Sequence, residues 1–146
     1  MSNCLVLVGL SGSGKEEFAK KFLEKNPSYK MLSLKETRLQ LYGLKKKYEL
    51  KVIKNVMLDH MYSNLAQGKD VLILDGPLRA KERKSLISYA TKVGDASISC
   101  VEFVTDLNIC KKRSQLTNNQ FLIEMEEYQK PEMDEGWQGI MKFDGR

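Results

Sequence analysis

The chain has 146 residues, of which 42% are hydrophobic and 29% are charged, and its formal net charge is +5. This balance predicts one globular domain over residues 1–146 and argues against a disordered or fibrous protein. No apolar run is long enough to cross a bilayer and no signal peptide opens the sequence, so we expect a cytoplasmic protein with no membrane partner. One histidine and three widely spaced cysteines disfavour a histidine-based metal site and a disulfide framework.

Apolar runs alternate with helix-like segments along the whole chain. The predicted strands are residues 3–8, 29–34, 71–74, 98–104 and 139–143. The predicted helices are residues 15–25, 36–67 (with an interruption near Gly43 left open), 81–93, 108–115 and 119–129. This alternation predicts an α/β fold with a parallel sheet covered on both faces. Ligands bind beyond the carboxyl ends of such strands, where the sequence places the Gly9 loop, residues 34–38 and Asp75.

The most informative motif follows the first predicted strand. It is a glycine-rich loop between a strand and a helix, made of Gly9, Leu10, Ser11, Gly12, Ser13, Gly14 and Lys15. Glycines let successive backbone N–H groups turn towards an anion, and the following helix adds the positive end of its dipole. The lysine can reach the β- and γ-phosphates. This P-loop predicts binding of a nucleoside triphosphate, with ATP as the expected ligand.

The residue after the lysine departs from the P-loop pattern. A Ser or Thr hydroxyl normally binds Mg²⁺ at this position, whereas this chain has Glu16. A carboxylate is a good Mg²⁺ ligand, but its negative charge would lie close to the phosphates. Three interpretations stay open: Glu16 holds the metal, points away from it, or marks a loss of catalysis.

Three segments make the chain resemble the kinase module of polynucleotide 5′-kinases and related phage and bacterial P-loop kinases. The first is the P-loop with its flanking strand and helix. The second is the apolar strand that ends at Asp75, with Glu82 and Arg83 downstream. The third comprises residues 127–131, which include an aromatic and a proline, and residues 134–137, which read Asp-Glu-Gly-Trp. Together they span nearly the whole chain in the family's order.

The resemblance implies an ATP- and Mg²⁺-dependent kinase that transfers a phosphate to a hydroxyl. The implied acceptor is the 5′-hydroxyl of a nucleic acid or a nucleotide. The implied fold is the P-loop kinase fold, with three αβα layers around a five-stranded parallel sheet in the order 2-3-1-4-5. In these terms Glu16 and Asp75 are candidate metal ligands, and Lys15 and Arg113 are candidate groups around the transferred phosphate.

Two further family positions are altered. The family's general base is an Asp after the second strand, and this position falls on Lys35 or, with a shift of one residue, on Glu36. Only the Glu36 carboxylate can accept a proton from an attacking hydroxyl, and Arg38 matches the arginine that follows the base. Of the two arginines in the family's lid, Arg113 matches the first, whereas the second position lies near Thr117.

Several assignments stay open. Asp75 is expected to hold a metal-bound water or the acceptor hydroxyl, and the alternative is a helix cap within its own turn. Arg79 and Arg83 either contact an acceptor phosphate or are solvated helix charges. The alternatives to a 5′-kinase are a catalytically degenerate relative that only binds nucleotide or nucleic acid, and a nucleoside monophosphate kinase with Arg38, Arg79 and Arg83 near its acceptor.

Overall fold

The computed structural model describes all 146 residues and alternates strands with helices. The strands are β1 (Ser2–Val8), β2 (Lys30–Leu32), β3 (Val71–Ile73), β4 (Ala96–Phe103) and β5 (Ile140–Phe143). The helices are α1 (Lys15–Lys25), α2 (Leu34–Tyr42), α3 (Leu50–Ala66), α4 (Ala80–Thr91), α5 (Leu107–Arg113) and α6 (Asn118–Glu127). A 3₁₀ turn at Met133–Glu135 precedes β5. None of the helices combines the length and the apolar character that a membrane crossing requires.

The five strands form one parallel sheet in the order β2-β3-β1-β4-β5, which confirms the predicted fold. The central strand is β1, in which Val6 is the partner of Ile73 in β3 and of Cys100 in β4. Because all five strands run in one direction, the segments that follow them leave at the same edge of the sheet. This topology brings the P-loop and Asp75 together although they are far apart in the sequence.

Side chains of successive residues in β1 enter two different cores. Val6 belongs to the larger core, which lies between the sheet and the helices α3 and α4 and includes Met61 and Leu86. Leu7 belongs to the smaller core, which includes Ala19 of α1. The alternation follows from the strand geometry, in which neighbouring side chains point to opposite faces. Both faces of the sheet are therefore covered by helices.

The region after β2 differs from its predicted boundaries. The strand ends at Leu32 because Ser33 is the N-cap of α2, and its Oγ accepts the backbone N–H of Glu36 at 3.1 Å. A side-chain acceptor at this position satisfies an N–H of the first helical turn and starts the helix earlier than predicted. The predicted helix over residues 36–67 is two helices, because α2 ends before Gly43, whose φ is 59°, and α3 begins only at Leu50.

Candidate phosphate-binding site

The loop between β1 and α1 has a backbone shape that requires glycine at two positions. Gly12 and Gly14 have φ angles of 82° and 102°, in the left-handed region that other residues rarely adopt. Gly12 also lies against the end of α5, where a Cβ atom would be 2.2 Å from the carbonyl oxygen of Cys110. The spacing of glycines in the sequence therefore corresponds to a tight turn covered by the segment after β4.

Several backbone N–H groups of this loop and of the first turn of α1 donate to no acceptor within the protein. They include those of Gly12, Gly14, Lys15 and Glu16. The first N–H groups of a helix have no acceptor within the helix, and the helix dipole adds positive potential at the same place. Free donors grouped in one loop suit the oxygens of a phosphate group.

Lys15 keeps its ammonium group at the loop. Its Nζ donates to the carbonyl oxygen of Gly9 at 2.7 Å. Burial lowers the pKa of Lys15, and the carboxylates of Glu124, Asp75 and Glu16 act in the opposite direction by favouring the charged form. Lys15 is thus a partly buried cation that three carboxylates influence, and it is available to a phosphate that reaches the loop.

Asp75 joins the end of β3 to the start of α2. Its carboxylate accepts the backbone N–H of Leu34 at 2.9 Å, so it caps α2 and not its own turn. Burial raises the pKa of Asp75, while the hydrogen bond from Leu34 and the charge of Lys15 lower it. The Asp75 carboxylate therefore combines a structural contact with α2 and an electrostatic interaction with the P-loop lysine.

The two predicted metal ligands lie around Lys15 but form no complete metal cage. Glu16 is exposed on the first turn of α1, and its charge acts on both Lys15 and Asp75. No cluster of three or more His, Cys, Asp or Glu side chains is arranged to hold a metal ion. Magnesium in nucleotide sites usually takes only one or two carboxylates and completes its shell with phosphates and waters. Two carboxylates with hard oxygen donors beside the phosphate-binding loop fit that requirement.

Glu36 and Arg38 lie on α2 and form no hydrogen bond or ion pair with the P-loop. Glu36 is exposed in the first turn of the helix. The Arg38 guanidinium lies 3.9 Å from the centre of the Tyr48 ring, and its Nη2 donates to the carbonyl oxygen of Lys45 at 3.5 Å. Its Nε is buried without an acceptor. Arg38 therefore packs onto the loop between α2 and α3.

Arg113 lies at the end of α5 and contacts the last residues of the chain. Its Nη1 donates to the carbonyl oxygen of Gly145. The N–H of Gly145 donates to Thr105 Oγ1 at 2.8 Å, and that hydroxyl donates to the carbonyl oxygen of Ser13 at 2.7 Å. Arg113 is thus connected to the P-loop through the segment after β5 and does not point into the loop.

A cleft of about 340 Å³ opens beside the P-loop, between α1 and the segment after β5. Its lining includes Gly14, Phe18, Lys21, Arg113 and Phe143. The rings of Phe18 and Phe143 meet edge to face, with centroids 5.0 Å apart. A larger open depression of about 560 Å³ is lined by residues of α4 and by Lys92 at its C-terminal end, and it shares no residue with the loop. The cleft is the concave surface that adjoins the phosphate donors.

Both sequence interpretations of Arg83 are wrong. The side chain is fully buried, and its Nε and Nη2 donate to the two carboxylate oxygens of Glu135 at 2.7 and 2.9 Å. Its Nη1 donates to the carbonyl oxygens of Pro77 and Leu78 at 3.1 and 2.7 Å. Arg83 therefore holds the loop that follows Asp75, and it neither faces an acceptor nor is solvated.

One residue of the site, Glu124, was not predicted from the sequence. Its carboxylate accepts the backbone N–H of Ser11, in the middle of the P-loop. The available signal was weak: Glu124 lies three residues after Phe121 on α6, and Phe121 is buried. Residues three apart share one face of a helix, but only the folded chain brings that face to the loop.

Comparisons with known proteins agree with this architecture. A family model described as AAA domain matches residues 5–122. No curated protein matches the sequence at a significant level. Among solved structures, a chain of the Pnkp1/Rnl/Hen1 RNA repair complex superposes with a TM-score of 0.69 at 20% identity, over 90% of this chain and 48% of that chain. This chain thus spans about half the length of that relative.

Two further structures align over most of their length. A fungal RNA kinase gives a TM-score of 0.68 at 14% identity, over 98% of this chain and 74% of that one. Kti12 from Chaetomium thermophilum, in complex with ADP-AlF3, gives a TM-score of 0.71 at 12% identity, over 97% and 88%. At these identities the superpositions establish the fold, and the family model covers most of the chain. The protein therefore belongs to the AAA domain family, and its fold is that of the P-loop kinases.

Proposed function

We propose that this chain binds ATP through Gly9–Lys15 and transfers the γ-phosphate to a hydroxyl, either the 5′-hydroxyl of a polynucleotide or a hydroxyl of a nucleotide. The observation that carries the proposal is the set of free N–H donors of Gly12, Gly14, Lys15 and Glu16 beside the Lys15 ammonium. Phosphoryl transfer depends mainly on positioning and on neutralising charge on the phosphoryl group. The P-loop supplies both functions in one place.

The residues divide into those for the nucleotide and those for the reaction. The residues from Gly9 to Lys15 hold the phosphates, and the cleft beside Gly14 takes the base between the aromatic rings and the Arg113 guanidinium. Glu16 and Asp75 hold Mg²⁺, which supplies charge neutralisation on the phosphate oxygens when it is bound. Lys15 stabilises the γ-phosphate, for which it leaves the Gly9 carbonyl.

The acceptor side lies between β3 and α2. Asp75 is partly buried and interacts electrostatically with Lys15, and its raised pKa suits a carboxylate that orients or deprotonates a hydroxyl. Glu36 is the candidate base that the family resemblance implies, and it lies in the first turn of α2, two residues after Leu34, whose N–H donates to Asp75. Arg38, on the same helix, would contact an acceptor phosphate only after its guanidinium leaves Tyr48 and Lys45. The fungal RNA kinase and the RNA repair complex support RNA ends as acceptors to test first.

The direct test is transfer of labelled phosphate from ATP to 5′-hydroxyl oligonucleotides, nucleosides and nucleoside monophosphates. We expect transfer to at least one of these acceptors, and a loss of about 10-fold or more in Lys15→Ala, because the lysine is a charged hydrogen-bond donor to the phosphate. The matched control is Lys20→Ala, an exposed lysine on the same helix. Absence of transfer to every acceptor would contradict the proposal.

A second candidate function is nucleotide binding without transfer. Two observations favour it: Arg113 points to Gly145 instead of the loop, and Glu16 occupies the usual hydroxyl position. If this candidate is correct, the natural protein binds ATP but transfers no phosphate. A triple variant that combines Glu16→Ser, Lys35→Asp and Thr117→Arg should then gain phosphate transfer. Brisk transfer by the natural protein would exclude this candidate. A nucleoside monophosphate kinase is less favoured, because Arg83 is buried away from any acceptor.

A further inference from the structure

One carboxylate already occupies part of the phosphate-binding loop. Glu124 lies on α6, and its Oε1 accepts the backbone N–H of Ser11 in the P-loop. Among the three carboxylates that act on the Lys15 ammonium, Glu124 has the strongest effect, ahead of Asp75 and Glu16. An anionic oxygen from a distant helix therefore interacts with both a backbone donor and the cation that the proposed function assigns to ATP.

Additional contacts keep the segment from α5 to α6 against the loop. The hydroxyl groups of Ser114 and Ser11 form a hydrogen bond of 2.9 Å. Gly12 packs so tightly that a Cβ atom there would lie 2.2 Å from the Cys110 carbonyl oxygen and 3.0 Å from the Ser114 nitrogen. These contacts, together with the one made by Glu124, cover Ser11 and Gly12 from one side.

This arrangement conflicts with a bound triphosphate. A phosphate oxygen and the Glu124 carboxylate are both anionic acceptors, so they compete for the Ser11 N–H and for the charge of Lys15. Placing both in the loop would bring like charges together in a partly buried site, where such repulsion is strong. Glu124 has to withdraw before a phosphate can take the complete set of donors.

We propose that Glu124 competes with the nucleotide for the P-loop. Its carboxylate holds α6 against the loop in a closed state and thereby lowers the affinity for ATP. The inference rests on the proposed function, because it assumes that the P-loop binds ATP. If most of the free protein is in the closed state, the apparent affinity for ATP equals the affinity of the open state multiplied by the fraction of the protein that is open. Movement of α6 is then coupled to nucleotide binding, and whatever draws α6 away from the loop activates the site.

The test is calorimetric titration with ATP, with and without Mg²⁺, on the natural protein and on Glu124→Ala, Glu124→Asp and Glu126→Ala. Glu126→Ala is the matched control, since it removes the same charged side chain from an exposed position on the same helix. Glu124→Asp keeps the charge but shortens the side chain by one methylene. We expect binding to be about 10-fold tighter or more in Glu124→Ala, also tighter in Glu124→Asp, and unchanged in Glu126→Ala.

The outcomes separate the two proposals. If no variant binds ATP, the proposed function fails and the competitor role fails with it. If the natural protein and Glu124→Ala bind equally well, ATP binding stands and the competitor role is wrong. Weaker binding in Glu124→Ala would assign Glu124 to the nucleotide or metal site instead. ATP could also bind more tightly to Glu124→Ala while Glu124→Asp keeps the affinity of the natural protein. The charge at position 124 alone would then explain the effect on ATP affinity, and the proposed closed state would be wrong.

Hydrogen exchange of the Ser11 amide gives a second test without ligand. In the closed state this amide is protected by the Glu124 carboxylate, so its exchange is slow in the natural protein and in Glu126→Ala. Glu124→Ala should speed it at least about 10-fold, because the only acceptor has been removed. Fast hydrogen exchange of the Ser11 amide in the natural protein would overturn the proposal. Alanine favours helix at position 124, so loss of α6 is not expected to confuse either test.

Discussion

The guanidinium of Arg83 and the carboxylate of Glu135 form a two-point ion pair at 2.7 and 2.9 Å, with 0% and 2% of the side chains exposed. The indole N–H of Trp137 donates to the same carboxylate at 3.1 Å. Arg83 also donates to the Pro77 and Leu78 carbonyl oxygens, so the pair joins the loop after Asp75 to the segment before β5. Two of the segments that carry the family resemblance are therefore one structural unit.

Removing one member of this pair should destabilise the protein strongly. Arg83→Leu leaves the Glu135 carboxylate buried without its charged partner, which typically costs about 3–5 kcal/mol of unfolding free energy. Urea unfolding of the natural protein and the variant measures the change. The double variant Arg83→Leu/Glu135→Leu should recover part of the loss, because it buries no unpaired charge. A single variant as stable as the natural protein would show that the pair contributes little.

An exposed pair provides the control for this measurement. Arg79 and Glu127 lie 3.4 Å apart with 57% and 41% of their side chains exposed. Arg79→Ala should change the unfolding free energy by about 1 kcal/mol or less, because solvent screens exposed pairs. A loss as large as that of Arg83→Leu would mean that burial does not explain the difference.

The stability of the natural protein should fall in acid partly through Glu135. Burial raises the pKa of this carboxyl, but the hydrogen bonds from Arg83 and Trp137 and the charge of Arg83 outweigh this effect and bring the pKa below its ordinary value. A carboxyl with a lower pKa in the folded state stabilises fully above its unfolded pKa and loses that contribution as the pH falls through the folded pKa. Unfolding free energies measured between about pH 6 and pH 3 should thus decline less steeply in Arg83→Leu/Glu135→Leu. Equal slopes would contradict this assignment.

Gly12→Ala should damage the P-loop more than a substitution at another glycine of the same backbone type. The added Cβ meets the Cys110 carbonyl oxygen at 2.2 Å, and the φ angle of 82° disfavours alanine in any case. Gly68→Ala has a similar φ of 78° but open space around its Cβ position, so it isolates the backbone cost of about 1–2 kcal/mol. We expect loss of ATP binding only in Gly12→Ala, measured by calorimetry on folded samples. Natural affinity in Gly12→Ala would mean that the α5 contact is easily displaced.

Asp75→Asn should separate the structural role of Asp75 from its chemical role. The Asn carbonyl oxygen can still accept the Leu34 N–H, so α2 remains capped. Since burial raises the pKa of Asp75, the ionised form costs stability above that pKa, and the neutral amide should be at least as stable at neutral pH. We expect normal unfolding with a loss of phosphate transfer of about 10-fold or more. Phosphate transfer at the natural rate in Asp75→Asn would mean that Asp75 only caps α2 and has no role in the reaction.

The fold and the phosphate-binding loop could be predicted from the amino-acid sequence. Alternating apolar and amphipathic segments predict a parallel sheet, and glycine spacing before Lys15 predicts the turn, because both depend on local periodicity and backbone freedom. It also placed Asp75 at the correct edge, since a carboxylate after a parallel strand can only lie there. The end of β2 was less predictable, because the Ser33 cap competes with continuation of the strand.

Which charged groups contact each other could not be predicted from the sequence, because these contacts depend on the tertiary structure. Arg83 and Glu135 are 52 residues apart, and Ser11 and Glu124 are 113 apart. Each of these residues looks like a surface charge or a loop residue when only its neighbours in the sequence are considered. The order of strands in the sheet and the packing of α6 bring them together, and burial then turns ordinary side chains into an ion pair and a competing anion, because low dielectric strengthens every charge contact.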